Sequence, residues 1–380
     1  MSDSPVYLDH NATTPLLPEV VDAMLPYLRT HFGNPSSGHA YGREAKKAVE
    51  RARAGVATLL ACDASEIVFT SGGTESNNLA IRGVLEARPE RRHVVTSAIE
   101  HPAVAAPCAW LEARGVAVTR VGVDADGRVS PAAVAGSLRD DTALVTVMHA
   151  NNETGVVQDV AAIARAARER GALVHTDAAQ SAGKIPVHVG PLGVDLLTLA
   201  GHKLYAPKGV GALYVRRGTL LRPFALGAGH ERGLRPGTEN VASIGGLGVA
   251  CARAAQDLDA ESARQRALRD GLWERLRAAV PGLALNGHPA ERLPNTLNVR
   301  FPRASGTAVL DGAPDVAAST GSACHSGHEE ASPVVLAMGV DAVSALGSVR
   351  LTLGRGTTRD DVARAAEALA AAWAKATRSA

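Results

Sequence analysis

A lysine, an aspartate and a glycine-rich turn stand out for what they could do together. The turn Ser71-Gly72-Gly73-Thr74-Glu75-Ser76 lies between an apolar run ending at Thr70 and a helical pattern. Glycines let the backbone bend sharply there, and the free N–H groups of a helix start can cradle a phosphate. The hydroxyls of Thr74 and Ser76 add donors. The turn is no Walker loop, because no Gly-Lys-Ser/Thr follows, and no Rossmann fingerprint accompanies it. Asp177, in Val174-His175-Thr176-Asp177-Ala178-Ala179-Gln180, follows another apolar run, at the edge where open α/β sheets bind ligands. Lys203, in Ala200-Gly201-His202-Lys203-Leu204-Tyr205, follows a third. Small neighbours can desolvate its amine, lower its pKa and make it a nucleophile toward an aldehyde. Taken singly, the three read equally well as an ordinary turn, a helix N-cap and a solvated lysine. Together they supply a phosphate cup, an acid for a ring nitrogen and a Schiff-base amine, the needs of pyridoxal 5′-phosphate.

Cys324 is the fourth candidate. It sits in Ser319-Thr320-Gly321-Ser322-Ala323-Cys324-His325-Ser326-Gly327-His328, a run of small and polar residues suited to a loop. A thiolate there could act as a nucleophile, and a nearby imidazolium would favour it. Cys324, His325 and His328 lack further ligands at metal-site spacing, so no metal is expected. The other cysteines, Cys62, Cys108 and Cys251, lie in apolar surroundings and read as packing. With four scattered cysteines and no CxxC pair, neither a disulfide framework nor a structural zinc is expected.

The elements that must position these residues follow from periodicity. Apolar runs at 67–70, 93–96, 116–121, 143–148, 172–176, 196–199 and 211–215 read as strands. Helical patterns at 44–60, 77–86, 103–113, 131–138 and 160–170 lie between them, which predicts βαβ units and a mostly parallel sheet covered on both faces. A charged helical stretch at 256–280 breaks the rhythm. Strands near 296–301 and 349–353 and a helix over 359–377 follow. Only 3% of the 380 residues are aromatic, so Val, Leu, Ala and Ile must build the core. Lysine and arginine number 40 against 38 acids, a balance that argues against nucleic acid as a partner. No signal-peptide pattern and no long apolar run is present, which predicts a cytoplasmic protein without a membrane partner.

The chain resembles the cysteine desulfurases, members of the class V aminotransferase group with fold type I, nearly from end to end. The residues that carry this are Tyr7-Leu8-Asp9-His10-Asn11-Ala12-Thr13-Thr14-Pro15, Gly33-Asn34-Pro35-Ser36-Ser37, Phe69-Thr70 with the turn at 71–78, Asn151-Asn152-Glu153-Thr154-Gly155, the segments around Asp177 and Lys203, Arg235-Pro236-Gly237-Thr238-Glu239-Asn240 and Gly321-Ser322-Ala323-Cys324. The resemblance implies an α/β architecture: a large domain with a mostly parallel seven-stranded sheet, over 14–256, and a smaller α+β domain of 1–13 and 257–380 bearing the thiol. It implies pyridoxal phosphate on Lys203, with Asp177 at the pyridine nitrogen, Gln180 at the ring hydroxyl and His101 stacked on the ring as a proton carrier. Gly73, Thr74 and His202 would hold the phosphate, and Thr238 would reach it from the other subunit of a homodimer. Asn152 would touch cofactor and substrate, and Asn11 and Arg350 the substrate, whose carboxylate suits a guanidinium fork. One departure stands out: a serine that the family often has three residues before the lysine is Ala200 here.

The expected reaction takes sulfur from L-cysteine, leaving L-alanine and a persulfide on Cys324 for an acceptor protein. A selenocysteine lyase acting on L-selenocysteine is the close alternative, since Ala200, Arg235–Asn240 and Cys324-His325-Ser326 are similar to that branch. An aminotransferase on the same fold is a more distant one. Iron–sulfur cluster assembly, tRNA thiolation, DNA sulfur modification and cofactor synthesis all stay open as destinations of the sulfur.

Overall fold

The computed structural model describes residues 4–320 and 330–378. Seven strands form one sheet, in the spatial order Ile67–Thr70, Gly211–Val215, Leu196–Ala200, Leu173–Asp177, Thr142–Thr146, His93–Ser97 and Ala117–Val121. Gly211–Val215 runs antiparallel to both neighbours, and every other pairing is parallel. Adjacent residues within a strand are both buried in every strand but the edge strand Ala117–Val121, as a sheet covered on two faces requires. Val95, Val145, Leu197 and Leu199 face one helical layer, while Val94, Leu144, Leu196 and Leu213 face the other. Truncating one of them, as in Leu197→Ala, would leave a cavity costing about 2–5 kcal/mol.

The crossover helices start where their caps dictate. Ser130 accepts from Ala133 ahead of Pro131–Ser137, and Asp159 accepts from Ala162 ahead of Val160–Glu169. The helical stretch expected at 256–280 is the second half of a longer helix, Val241–Ala279, capped by Asn240 through the Ser243 N–H. Its first half holds Gly246 and Gly248 where neighbours approach closely: a Cβ on Gly248 would lie 2.3 Å from the Ala52 Cα in the helix Ala40–Leu60. The long helix kinks at Asp257, whose carboxylate takes both terminal nitrogens of Arg355 at 2.7 Å.

Before the kink, Leu247, Cys251 and Ala254 pack into the core of the large sheet. Beyond it, Leu268, Leu272 and Leu276 join a separate core. There they meet the antiparallel sheet of Ser348–Thr352, Thr296–Arg300 and Ala284–Leu285, together with the helix Arg359–Arg378. The strand Val6–Tyr7 pairs with Val316–Ala317 and anchors the N-terminal segment on this second core. A helix at Pro18–Arg29 was not expected from the sequence. Pro18 at its first position, Glu19 in the first turn and Arg29 in the last turn are ordinary helix signals, but Leu17 gives no side-chain cap and Pro26 lies inside. Among the described residues, no helix is long and apolar enough to cross a membrane.

Candidate active site

A cavity of about 410 Å³ opens at the carboxyl ends of the large sheet. Parallel strands deliver their following loops to one edge, which is why residues distant in sequence meet there. Gly73 and Thr74 follow Ile67–Thr70, His101 follows His93–Ser97, Asp177 ends its own strand, and Lys203 follows Leu196–Ala200. Arg350 enters from the smaller sheet and Asn11 from the N-terminal segment. That segment is clamped across the site: Thr14 donates N–H and hydroxyl to the His202 carbonyl, both at 3.0 Å, and accepts from the Tyr205 N–H at 2.8 Å.

The Lys203 amine donates to the carbonyls of Asn11 at 2.5 Å and Ala12 at 2.7 Å. Burial pushes it down to about 8, with the Arg350 charge acting in the same direction and Asp9 and Asp177 opposing. An amine that loses its proton near neutrality is a competent nucleophile. Asp177 is buried, and its carboxylate accepts from the Asn77 amide at 2.7 Å and the Ala179 N–H at 2.9 Å. Gln180 donates its amide to the Asn11 carbonyl at 2.9 Å and accepts from the Lys184 amine at 3.1 Å.

Gly73 begins the helix Gly73–Ala87, so its N–H and those of Thr74 and Glu75 have no partner within the helix. A Cβ on Gly73 would lie 3.3 Å from the Ala200 methyl, so glycine keeps this cup open. His202 lines the cavity and its Nδ1 lies 3.3 Å from the Thr13 hydroxyl. Burial and the Lys203 charge push its imidazole down to about 4, which leaves it neutral, with one N–H. Thr238 is exposed and is not among the residues lining this cavity.

Arg350 donates to Asp9 at 2.7 Å and to the Asn152 carbonyl at 3.2 Å, while its Nε has no partner. Asn152 lines the cavity beside it. The Asn11 side chain, expected among the substrate's contacts, is occupied elsewhere: it donates to Thr296 and the Asn152 carbonyl and accepts from Asn295. The Asn11 main-chain carbonyl also meets the Lys203 amine. His101 caps the helix Pro102–Glu112, its Nδ1 accepting from Ala103 at 3.1 Å, and stands at the mouth of the cavity. Desolvation lowers its imidazole; Asp177 opposes this and Lys203 adds to it.

Cys324 lies outside the described residues. Of the others, Cys108 and Cys251 are buried and Cys62 is half-buried, and burial pushes all three thiols up to about 12. None of these three supplies a thiolate at neutral pH. Sequence reasoning missed Asn77, Lys184 and Asp9 as site residues. Asn77 meets its partner across 100 positions of chain, so no local pattern signals it.

A family model described as aminotransferase class-V matches residues 6–365. The chain belongs to the class-V aminotransferase family. Members of this family are pyridoxal-phosphate enzymes, and the donor set fits that cofactor, with an acid, an activated lysine and a glycine-floored helix start around one cavity. A cysteine desulfurase of Trichormus azollae is 47% identical over 368 residues, which span 96% of this chain and 92% of the relative. A solved NifS-like protein superposes with a TM-score of 0.92 at 35% identity, covering 98% of this chain and all of that one. A solved SspA in complex with cysteine gives 0.82 at 36% identity, covering 91% of this chain and 98% of that one. The expected α/β fold with its seven-stranded sheet is therefore the fold of this family member.

Proposed function

We propose that the protein is a pyridoxal-phosphate-dependent cysteine desulfurase, converting L-cysteine to L-alanine and passing the sulfur to an acceptor. The observation that carries this is the placement of Lys203. Its amine, lowered to about 8, shares one cavity with a buried Asp177 and with Arg350. The relatives named as cysteine desulfurases support the same reading. No observation favours the selenocysteine branch.

Lys203 would hold the cofactor's aldehyde carbon, Asp177 its ring nitrogen, Gln180 its ring oxygen, and Gly73, Thr74 and His202 its phosphate. When bound, the protonated ring draws off the electron pair left on the substrate Cα. The chain's own groups do the rest. Arg350 and Asn152 bind the substrate carboxylate, orienting Cα toward Lys203, which takes its proton and later returns one; His101 assists at the mouth. The Cys324 thiolate attacks the substrate sulfur, so a sulfur–sulfur bond forms as the carbon–sulfur bond breaks. The persulfide then goes to a sulfur acceptor.

The same reading assigns 14–256 to the cofactor domain and 1–13 with 257–380 to the domain bearing Cys324. It also takes the protein as a cytoplasmic homodimer, in which Thr238 reaches the partner's phosphate. Leu220 and Leu226, 71% and 90% exposed, stand on the stretch that leads to Thr238 and support such a contact. The test is the product from L-cysteine with a thiol reductant: alanine and sulfide in equal amounts, abolished by Lys203→Ala. A keto acid without sulfide would sink the proposal.

A further inference from the structure

Lys184 is an unusual residue to find next to this site. Lys184 is only 8% exposed, and among the described residues it forms no ion pair. Its amine donates to the Gln180 carbonyl at 2.9 Å and to the Gln180 Oε1 at 3.1 Å. Burying an ammonium this way is costly unless its contacts are used. Burial, helped by the Lys203 and Arg350 charges, pushes Lys184 down to about 7.

The contact at Oε1 has a geometric consequence. With the oxygen end of the Gln180 amide turned to Lys184, the nitrogen end must face the other way. There Nε2 donates to the Asn11 carbonyl at 2.9 Å, the same carbonyl that the Lys203 amine holds at 2.5 Å. An amide nitrogen has two hydrogens. One is taken by Asn11, and the second is left on a side chain that lines the cavity. Lys184, Gln180, Asn11 and Lys203 thus form one continuous hydrogen-bonded chain.

We propose that Lys184 is a positioning residue that locks the Gln180 amide with its N–H₂ end toward the cofactor site. This rests on the pyridoxal-phosphate reading above and goes beyond it. Lys184 is not among the residues that line the cavity. It fixes which end of Gln180 faces the cavity.

The test is a double-mutant cycle on cofactor affinity. Wild type, Lys184→Met, Gln180→Ala and the double variant are stripped of cofactor and titrated with pyridoxal phosphate by absorbance, with melting temperatures recorded alongside. Losing one oriented hydrogen bond should weaken binding about fivefold in Lys184→Met. In the Gln180→Ala background, the same substitution should change affinity less than about twofold. An equal factor in both backgrounds would mean that Lys184 acts structurally and would overturn the proposal. If Lys184→Met does not fold, Lys184→Ala takes its place in the same cycle, and an equal factor in both Gln180 backgrounds again overturns the proposal. Wild type that takes up no pyridoxal phosphate would instead defeat the functional reading itself.

Discussion

Lys203 should titrate far below an ordinary lysine, and this can be read on protein free of cofactor. Burial sets the direction, taking the amine from 10.5 to about 8. Each unit is about 1.4 kcal/mol, so the folded site disfavours the charged amine by roughly 3 kcal/mol. At about pH 7.5, roughly a quarter of Lys203 would be uncharged, against about one in a thousand for an unperturbed lysine. A brief pulse of dilute acetic anhydride, read by peptide mass spectrometry between about pH 6 and 11, measures this fraction directly. The expected midpoint is near 8. Arg350→Met supplies the second arm. It removes a positive charge that lowers Lys203 and frees Asp9, which raises it, so both changes move the midpoint upward. A Lys203 that labels in step with unperturbed lysines, or an Arg350→Met midpoint that falls, would refute the electrostatic reasoning.

Arg350→Met should also raise the KM for L-cysteine by about 10- to 100-fold, the weight of charge-assisted hydrogen bonds to a carboxylate; an unchanged KM in steady-state assays would remove Arg350 from substrate binding. Glu100 is a half-buried acid pushed up to about 8, chiefly by desolvation, and its buried Oε2 has no partner. The folded state therefore holds this proton where the unfolded state, near 4.5, has lost it, so stability falls as pH rises from about 4.5 through 8. Glu100→Gln removes that loss, and its advantage in melting temperature should be larger at about pH 8.5 than at about pH 5.5; an equal gap at both values would contradict the assignment.

Much of this was legible in the sequence because parallel α/β sheets write themselves locally. Each strand is a short β-branched or leucine run, and each functional loop follows one, so the glycine turn, Asp177 and Lys203 could be placed on one edge before any coordinates. All seven strands lie within two residues of the expected bounds. What stayed hidden depends on contacts between distant segments. The close approach of Ala52 to Gly248 leaves no mark in the local sequence. The contacts of the Asn11 side chain to Thr296 and Asn295 join positions 285 and 284 residues apart and leave no local signal. Lys184 carries no local signal either, since its burial and its contacts to Gln180 appear only in the folded chain.

The most direct measurement is the mass of the holoprotein after exposure to L-cysteine without an acceptor. One added sulfur atom is expected, mapped to the Cys324 peptide and absent in Cys324→Ala and in Lys203→Ala. Alanine formed with no sulfur on Cys324, or sulfur gained equally by the Lys203→Ala protein, would contradict it.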